Sequence, residues 1–498
     1  MKILLIDPPF YRFMGLYRYY YPLGLASMSA VLQREGHSVA IYDADYDPDA
    51  DTVPWSAAAE RFDTYAGALE NDAHSLWREI RDTITYVAPQ VVGITMLSVK
   101  APSAAKVAQI CKDVNPDTTV VVGADHPSAL PGLVLRDSHI DAVVRGEGED
   151  TFLDLINCLD NKSRDNGMDA VAGISYRKGE RVVHNPSRPL KDDLDALPHP
   201  AIDSILGWDR YQPVDFGAIL SSRGCPYRCA FCGVHNVWTR KVRFRSPESV
   251  VGEINWLRHT FGTDYISFRD ANFTLDRERV LSFCEQLLAK GPSVEWECLT
   301  RADLLDEDLL RHMRIAGCVT IRLGIESGDP EVLRRMRKGT DLDRVRKVAR
   351  LLHKHDFYWS AYLLFGTPSE TESSIWRTVE FVREIKPPYV TVARYAPIPG
   401  TQMCQELQQA GRLALDVDWA REHNLQFGSN YALAFEPEKF ETTMRQVAEV
   451  LEDHNRMQSE QLGRTDGRQK VIERRTARPR TWQAASSVSA YPDLRGGV

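Results

Sequence analysis

Cys225, Cys229 and Cys232, in the run SSRGCPYRCAFCGVHN, place three thiols at CxxxCxxC spacing. Side chains this close in sequence can surround one metal centre on a tight loop. Thiolates are soft ligands, and their softness and number favour iron–sulfur over calcium or magnesium. A four-iron cluster held by three cysteines leaves one iron without a protein ligand. That iron can hold a small molecule, which turns an electron carrier into a catalyst. Zinc is the competing reading, because His235 is close enough in sequence to close a four-ligand shell. Phe231, immediately before Cys232, argues against a zinc finger.

The cysteine loop must be carried by something, and the chain around it reads as alternating strands and helices. A series begins at 218–224 (AILSSRG) and continues with apolar runs at 265–270, 294–300, 318–327, 359–366 and 389–397. Helical patterns such as SPESVVGEINWLRHTFG separate them. Six βα units are fewer than the eight of a closed barrel, so the pattern predicts an open, partial (β/α)6 barrel with its site at the carboxyl ends of the strands. The first 150 residues show a second series, with apolar runs at 2–8, 38–44, 91–97, 119–125 and 142–148. These predict a doubly wound, Rossmann-like parallel sheet. Ligands on such sheets sit beyond the strand ends, which here carry Asp7-Pro8-Pro9, Thr95-Met96-Leu97, Gly123-Ala124-Asp125-His126 and Gly146-Glu147-Gly148.

Between the two series, residues 161–215 are polar and turn-rich and read as a connector. Residues 402–464 read as an amphipathic helical extension. From 465 to 498 the chain is arginine-rich and poor in apolar residues, the composition of a disordered basic tail. The domain plan is therefore 1–160, a connector over 161–215, 216–401, 402–464 and the tail, all α/β apart from the helical extension.

Composition narrows the class. The chain has 498 residues, 43% hydrophobic and 26% charged, with a net charge of −8. That is ordinary for a globular protein and implies no general nucleic-acid-binding surface. No apolar run approaches the length of a membrane span. MKILLIDPPF is a short strand ending in Pro-Pro and has no signal-peptide cleavage pattern. Of nine cysteines, six are scattered through apolar segments, as for buried free thiols. This pattern belongs to a reducing compartment and predicts a cytoplasmic location.

CxxxCxΦC at the head of a βα series resembles the radical S-adenosylmethionine (SAM) superfamily. The strand-end residues of the first 160 residues resemble a cobalamin (B12)-binding domain fused to it. The resemblance covers about residues 1–400 and is to cobalamin-dependent radical SAM enzymes of the class B methylase type. It implies a [4Fe–4S] cluster on Cys225, Cys229 and Cys232, with SAM chelated at the open iron. It also implies SAM contacts from Phe231 beside the adenine, Asp270 in FRDANFT, Arg301 in CLTRADLL, and Glu326 and Ser327 in GIESGD. Phe365 and Gly366 in LLFGTPSE complete that set. FRDANFT has Ala271 where many relatives carry a second acid.

Many methylcobalamin proteins follow strand one with Asp-x-His-x-x-Gly. This chain has Pro9 in place of that histidine and Arg12 in place of that glycine. The resemblance therefore implies cobalamin with its own base displaced and no histidine below the metal. Met96 and Leu97 are expected to face the cobalt. Pro8, Pro9, Thr95, Gly123, Ala124, Asp125, His126, Ser128, Gly146, Glu147 and Gly148 make up the rest of the cobalamin site.

The implied chemistry is methylation of an unactivated carbon of a small-molecule substrate through a 5′-deoxyadenosyl radical and methylcobalamin. An external one-electron reductant of the flavodoxin or ferredoxin type is needed. Tyr362, Arg394 and Tyr395, on strands expected to line the barrel, are candidate substrate contacts. Related fusions catalyse cyclisation, rearrangement or methylation at phosphorus. A methylthiotransferase is a rival, but it needs amino-terminal cysteines that residues 1–110 lack. A non-enzymatic cobalamin or redox sensor is the remaining alternative, and it has no use for the segment around Glu326.

Overall fold

Alternation along strand β1 (Lys2–Asp7) decides the first layer. Ile3 and Leu5 enter one core and Leu4 and Ile6 another, as the two-residue period of a strand requires. Both faces of this strand are therefore covered, which suits a parallel sheet with helices on each side. The structure is a computed structural model that describes residues 1–18, 20–50, 61–160, 167–422, 431–432 and 435–463.

The first sheet has the order β2-β1-β3-β4-β5-β6-β7. Its parallel part comprises β1, β2 (Ser38–Asp43), β3 (Val91–Thr95), β4 (Thr119–Gly123) and β5 (Ala142–Val144). Strand order reverses between β1 and β3, so a ligand crevice opens beyond their carboxyl ends. The region read as a connector adds two antiparallel strands to this sheet, β6 (Ile174–Lys178) and β7 (Arg181–His184).

The second sheet is wholly parallel, with the order β15-β14-β13-β12-β11-β8. Its strands are β8 (Ala218–Ile219), β11 (Tyr265–Phe268), β12 (Glu295–Thr300), β13 (Cys318–Glu326), β14 (Tyr358–Phe365) and β15 (Tyr389–Arg394). Capped helices return the chain between them: Asp276 accepts from the Arg279 amide and Asp306 from the Leu309 amide, each satisfying an otherwise orphaned donor. Six parallel strands make the open, partial barrel that the sequence predicts.

One strand departs from its predicted extent. The pattern at 218–224 predicts a single strand. Instead β8 ends at Ile219, and Ser222–Arg223 (β9) pairs antiparallel with Arg243–Phe244 (β10). Gly224 follows at φ +90°, where an added Cβ would overlap the Lys241 carbonyl oxygen. Only glycine fits this turn, and it delivers the chain directly to Cys225.

The two sheets share one continuous core. Ile3 and Leu5 of β1 join through Tyr17, Tyr21, Tyr211 and Phe216 to Trp296 and Phe365 of the barrel. The helical extension contains Gln402–Gln409 and Pro437–Leu462. The long helix covers the open edge at β15, where Asn455 accepts from the Val390 amide at 2.7 Å and donates to its carbonyl at 3.0 Å. An edge strand left bare would recruit foreign strands. The basic tail at 465–498 lies outside the described residues. Among the described residues no helix is long and apolar enough to cross a membrane.

Candidate functional site

Cys225, Cys229 and Cys232 are half-buried on the loop that Gly224 opens. The loop is pinned from both sides: the Ala230 amide donates to Met336 O at 2.8 Å and the Met403 amide to Ala230 O at 3.0 Å. Burial pushes the Cys232 thiol up to about 11 and raises Cys229 as well, although Lys338 and Arg301 pull Cys229 the other way. Thiols held high in this way become ligands once cationic metal favours the thiolate. His235 Nε2 lies 2.9 Å from the Tyr227 carbonyl oxygen, and its Nδ1 is buried without a hydrogen-bond partner. Among the described residues no three metal-binding side chains close on a point as the shell of a single zinc does. Three thiolates that each take a different iron need no such convergence, so this donor set fits a four-iron cluster.

Next to the loop stands Glu326. Strand β13 shifts register against β14 between Gly324 and Glu326, and Glu326 adopts φ +68°. That conformation is uncommon for a residue with a side chain and marks stored strain. The irregularity re-aims the carboxylate, whose Oε1 accepts from Lys338 Nζ at 2.8 Å. Arg301 lies over the Tyr227 ring at 3.9 Å and donates to the Lys338 carbonyl at 2.9 Å. Lys338 in turn stands 6.0 Å from the centre of the Phe231 ring. Glu326, Arg301 and Phe231 thus come together at the cluster loop, with Lys338 as a fourth member that the sequence reading missed. Lys338 sits in the basic run RRMRKG, and only its burial distinguishes it from its neighbours.

Other expected contacts are placed elsewhere. Asp270 accepts from the Ser221 amide at 3.3 Å, from Ser221 Oγ at 3.0 Å and from Ser222 Oγ. It therefore braces the turn that leads to Cys225, with both oxygens already engaged. Ser327 is wholly buried, 3.1 Å from Thr378 Oγ1, and accepts from the Asp329 amide. Phe365 is in the barrel core, and Gly366 turns against Phe440. Of the three candidate substrate contacts, Tyr362 lines a cavity inside the barrel. Arg394 instead pairs with Glu441 of the long helix. Tyr395 packs with Met403, Leu407 and Tyr431. Strand alternation sends Arg394 to the helix layer, away from the lumen.

A cavity of about 700 Å³ opens between the two sheets. Thr95, Leu97, Gly123, Ala124, Asp125, Gly146, Glu147 and Gly148 line it from the first sheet, and Phe231 and Cys232 from the cluster loop. Met96 does not, because it alternates away from Thr95 and Leu97 into the core beneath the sheet. Pro8 and Pro9 are buried behind it, and Asp7 reaches the wall instead. Ser128 ties two of the loops together, donating to Ala124 O at 2.6 Å and accepting from the Gly146 amide at 3.0 Å.

His126 is 3.0 Å from Ser98 Oγ, edge-on to Trp419, and burial lowers its pKa to about 4. It is a neutral, tethered side chain, and the described residues lining the cavity include no histidine.

The cavity suits a large flat ligand rich in amides. An added Cβ at Gly93 on its wall would come within 2.8 Å of Leu5, so the cradle depends on that missing side chain. Asp125 leaves a buried Oδ1 without a hydrogen-bond partner, and burial raises its pKa to about 6. An unpaired acceptor at such a wall invites N–H donors.

Two charged constellations were not legible in the sequence. At the ends of β1 and β2, Lys100 Nζ is 2.7 Å from Asp7 and 2.8 Å from Asp45, while Arg18 pairs with Asp7 and Asp43. Burial alone would raise the Asp7 carboxyl, but Arg18 and Lys100 outweigh it and hold it below the usual range. Across the domain boundary, Arg243 is 2.7 Å from Glu147 and Arg223 is 2.6 Å from Glu149. Glu147 is therefore committed to the barrel as well as to the cavity wall.

Comparisons with known proteins identify the family. The family descriptions that match are Radical SAM superfamily over residues 219–382 and B12 binding domain over residues 16–156. An uncharacterized methyltransferase of Pyrococcus horikoshii is 31% identical over 84% of this chain and 86% of its own length. The chain belongs to the cobalamin-dependent radical SAM enzymes. Its cofactors are a [4Fe–4S] cluster, SAM and cobalamin.

Other members of this family among its relatives have different named activities. An anaerobic magnesium-protoporphyrin IX monomethyl ester cyclase of Rubrivivax gelatinosus is 31% identical over 69% of this chain and 62% of that protein. A cytidylyl-2-hydroxyethylphosphonate methyltransferase of Streptomyces wedmorensis is 28% identical over 82% of each. In fold, the radical SAM methyltransferase TsrM of Kitasatospora setae superposes with a TM-score of 0.65 over 82% of this chain and 76% of that one, at 18% identity.

Proposed function

We propose that this cobalamin-dependent radical SAM enzyme is a methyltransferase acting on an unactivated carbon of a small molecule. The observation that carries the reading is the shared chamber: one cavity is walled by Phe231 and Cys232 on one side and by the strand ends of the first sheet on the other. Bound there, the cluster with SAM supplies a hydrogen-abstracting radical and cobalamin supplies a methyl group.

The residues of this chain do the orienting. Cys225, Cys229 and Cys232 hold the cluster, with Asp270 bracing the turn before them. Glu326 and Arg301 take the polar groups of SAM: a carboxylate suits a diol or an ammonium, and a guanidinium suits a carboxylate. Thr95, Leu97 and Asp125 would meet cobalamin, and the apolar side chains of Leu25, Val121, Val122 and Phe152 would keep water from that part of the cavity. A flavodoxin- or ferredoxin-type protein supplies the electron.

The test is anaerobic turnover with SAM carrying a deuterated methyl group, over a screen of candidate substrates. Transfer of intact label to a carbon-bound methyl in a product supports methylation. A product that gains a ring and no label overturns it in favour of the cyclase reading, which the cyclase relatives make the specific rival.

A further inference from the structure

We infer that the substrate carries an oxyanion, of the carboxylate or phosphate type, held inside the barrel by Arg269 and the Tyr362 hydroxyl. This deepens the proposed activity and rests on it. The place is a second cavity, of about 310 Å³, lined by residues of β11, β12, β13 and β14 and by Tyr20 from the first sheet's loop.

Two carboxylates and two arginines line this cavity, and three of these four groups are engaged within the fold. Glu297 is saturated: Arg322 grips it through Nη2 at 2.7 Å and Nε at 3.1 Å, and Tyr265 and Ser267 donate to it at 2.9 and 2.7 Å. Asp270 is taken up by Ser221 and Ser222. Arg269 is different. Its side chain is exposed at the cavity, its guanidinium lies 5.4 Å from the centre of the Tyr20 ring, and among the described residues it makes no ion pair. A planar guanidinium without an acid partner offers two parallel donors that match a carboxylate or phosphate.

A second observation points the same way. Tyr362 accepts from Arg322 Nη1 at 2.8 Å. One of its lone pairs is thereby used, while its own O–H proton has no acceptor among the described residues. A phenol in that state donates to a ligand oxygen. Both donors line the one cavity.

Tyr20 gives the cavity a wall from the cobalamin side. It holds φ +70°, a strained conformation for a bulky residue. Its loop also sends Arg18 to the large cavity. One strained loop thus contributes to both chambers, as strain stored at a functional site does.

The test uses NMR on the full chain with three probes: proton saturation transfer for acetate and neutral methyl acetate, and phosphorus line broadening for inorganic phosphate. Saturable binding is expected for at least one of the two anions, weakened about ten- to a hundredfold in Arg269→Gln, weakened less in Tyr362→Phe, and absent for methyl acetate. Which anion binds tells carboxylate from phosphate. Binding of neither anion, or equal binding to the wild type and Arg269→Gln, overturns the inference. If the variant does not fold, phenylglyoxal labelling of the wild-type protein decides instead. Phosphate or acetate must slow modification of Arg269, and an unchanged rate with both overturns the proposal. SAM cleavage by the wild-type enzyme is measured separately, so a failure of the radical SAM reading is told apart from a failure of this one.

Discussion

Arg223 Nη2 lies 2.6 Å from Glu149 Oε1, which ties the residue two before Cys225 to the residue just after Gly148. The pair is buried and crosses from the barrel to the cobalamin-binding sheet. Removing one partner from a buried pair leaves an uncompensated charge and costs about 3–5 kcal/mol. Arg223→Ala is expected to lower the unfolding free energy, read from denaturant titration, by that much and to reduce iron incorporation. Arg223→Met combined with Glu149→Leu is expected to recover part of the stability but not the cofactor alignment. A single variant with wild-type stability and iron content removes the pair from this role.

The cluster cysteines give the sharpest iron result. Replacing Cys225, Cys229 and Cys232 together by Ala is expected to abolish the brown chromophore and SAM cleavage after anaerobic reconstitution. Cys111, Cys158 and Cys404 are buried far from the loop in sequence, and each single replacement is expected to leave iron content unchanged. A triple variant with a full iron complement disproves the assignment.

Glu326→Gln tests SAM binding apart from the cluster. The carboxylate is held by Lys338 and is not a ligand of the metal loop. Iron content is expected to persist while SAM affinity falls by one to two decades, the worth of a charge-assisted hydrogen bond at about 1.5–3 kcal/mol. Equilibrium dialysis with labelled SAM reads it, and unchanged affinity takes Glu326 out of the site.

Much of this arrangement was legible because it is local. The strands announce themselves as apolar runs bounded by turn residues, and the cysteine spacing is read directly. What stayed hidden depends on pairing across the fold. The β9–β10 ladder joins residues about twenty apart, with two-residue strands that carry no period. Strands β6 and β7 lie at a sheet edge, where polar alternation looks like loop. Asp270 sits where a SAM ligand is expected, yet Ser221 and Ser222, nearly fifty residues earlier, claim both its oxygens. Arg18 and Lys100 acquire meaning only once Asp7 and Asp43 are brought beside them.

Glu370, in the loop after β14, gives a pH dependence. It is wholly buried, its Oε2 accepts from the Thr367 amide at 2.8 Å, and its Oε1 has no partner. Burial raises its pKa to about 7, with nearby Asp329 adding to the shift. A carboxyl whose folded pKa exceeds its unfolded value binds its proton more tightly when folded. Stability is therefore expected to fall as pH rises from about 4.5 to about 7, by a total on the order of 3 kcal/mol. Glu370→Gln is expected to flatten that slope and to be the more stable protein at pH 8. Denaturation at a series of pH values checks it, and parallel curves for wild type and variant refute it.

The last prediction concerns cobalt. His126 is held by Ser98 and Trp419, is neutral by virtue of its burial, and does not line the large cavity. Leu97 does line it, and Pro9 stands where an axial histidine would be in related proteins. Purified holoenzyme is therefore expected to give a cob(II)alamin electron paramagnetic resonance spectrum without nitrogen superhyperfine splitting from an axial imidazole. His126→Ala is expected to leave that spectrum unchanged. Asp125→Ala removes the unpaired acceptor from the wall, and its retention of cobalamin through gel filtration is expected to drop by about tenfold, the worth of one hydrogen bond at such a site. The described residues lining the cavity would offer bound cobalamin no imidazole. Imidazole splitting in the wild type overturns the arrangement below the metal. A wild-type chain that retains no cobalamin at all overturns the placement of the corrin on this sheet.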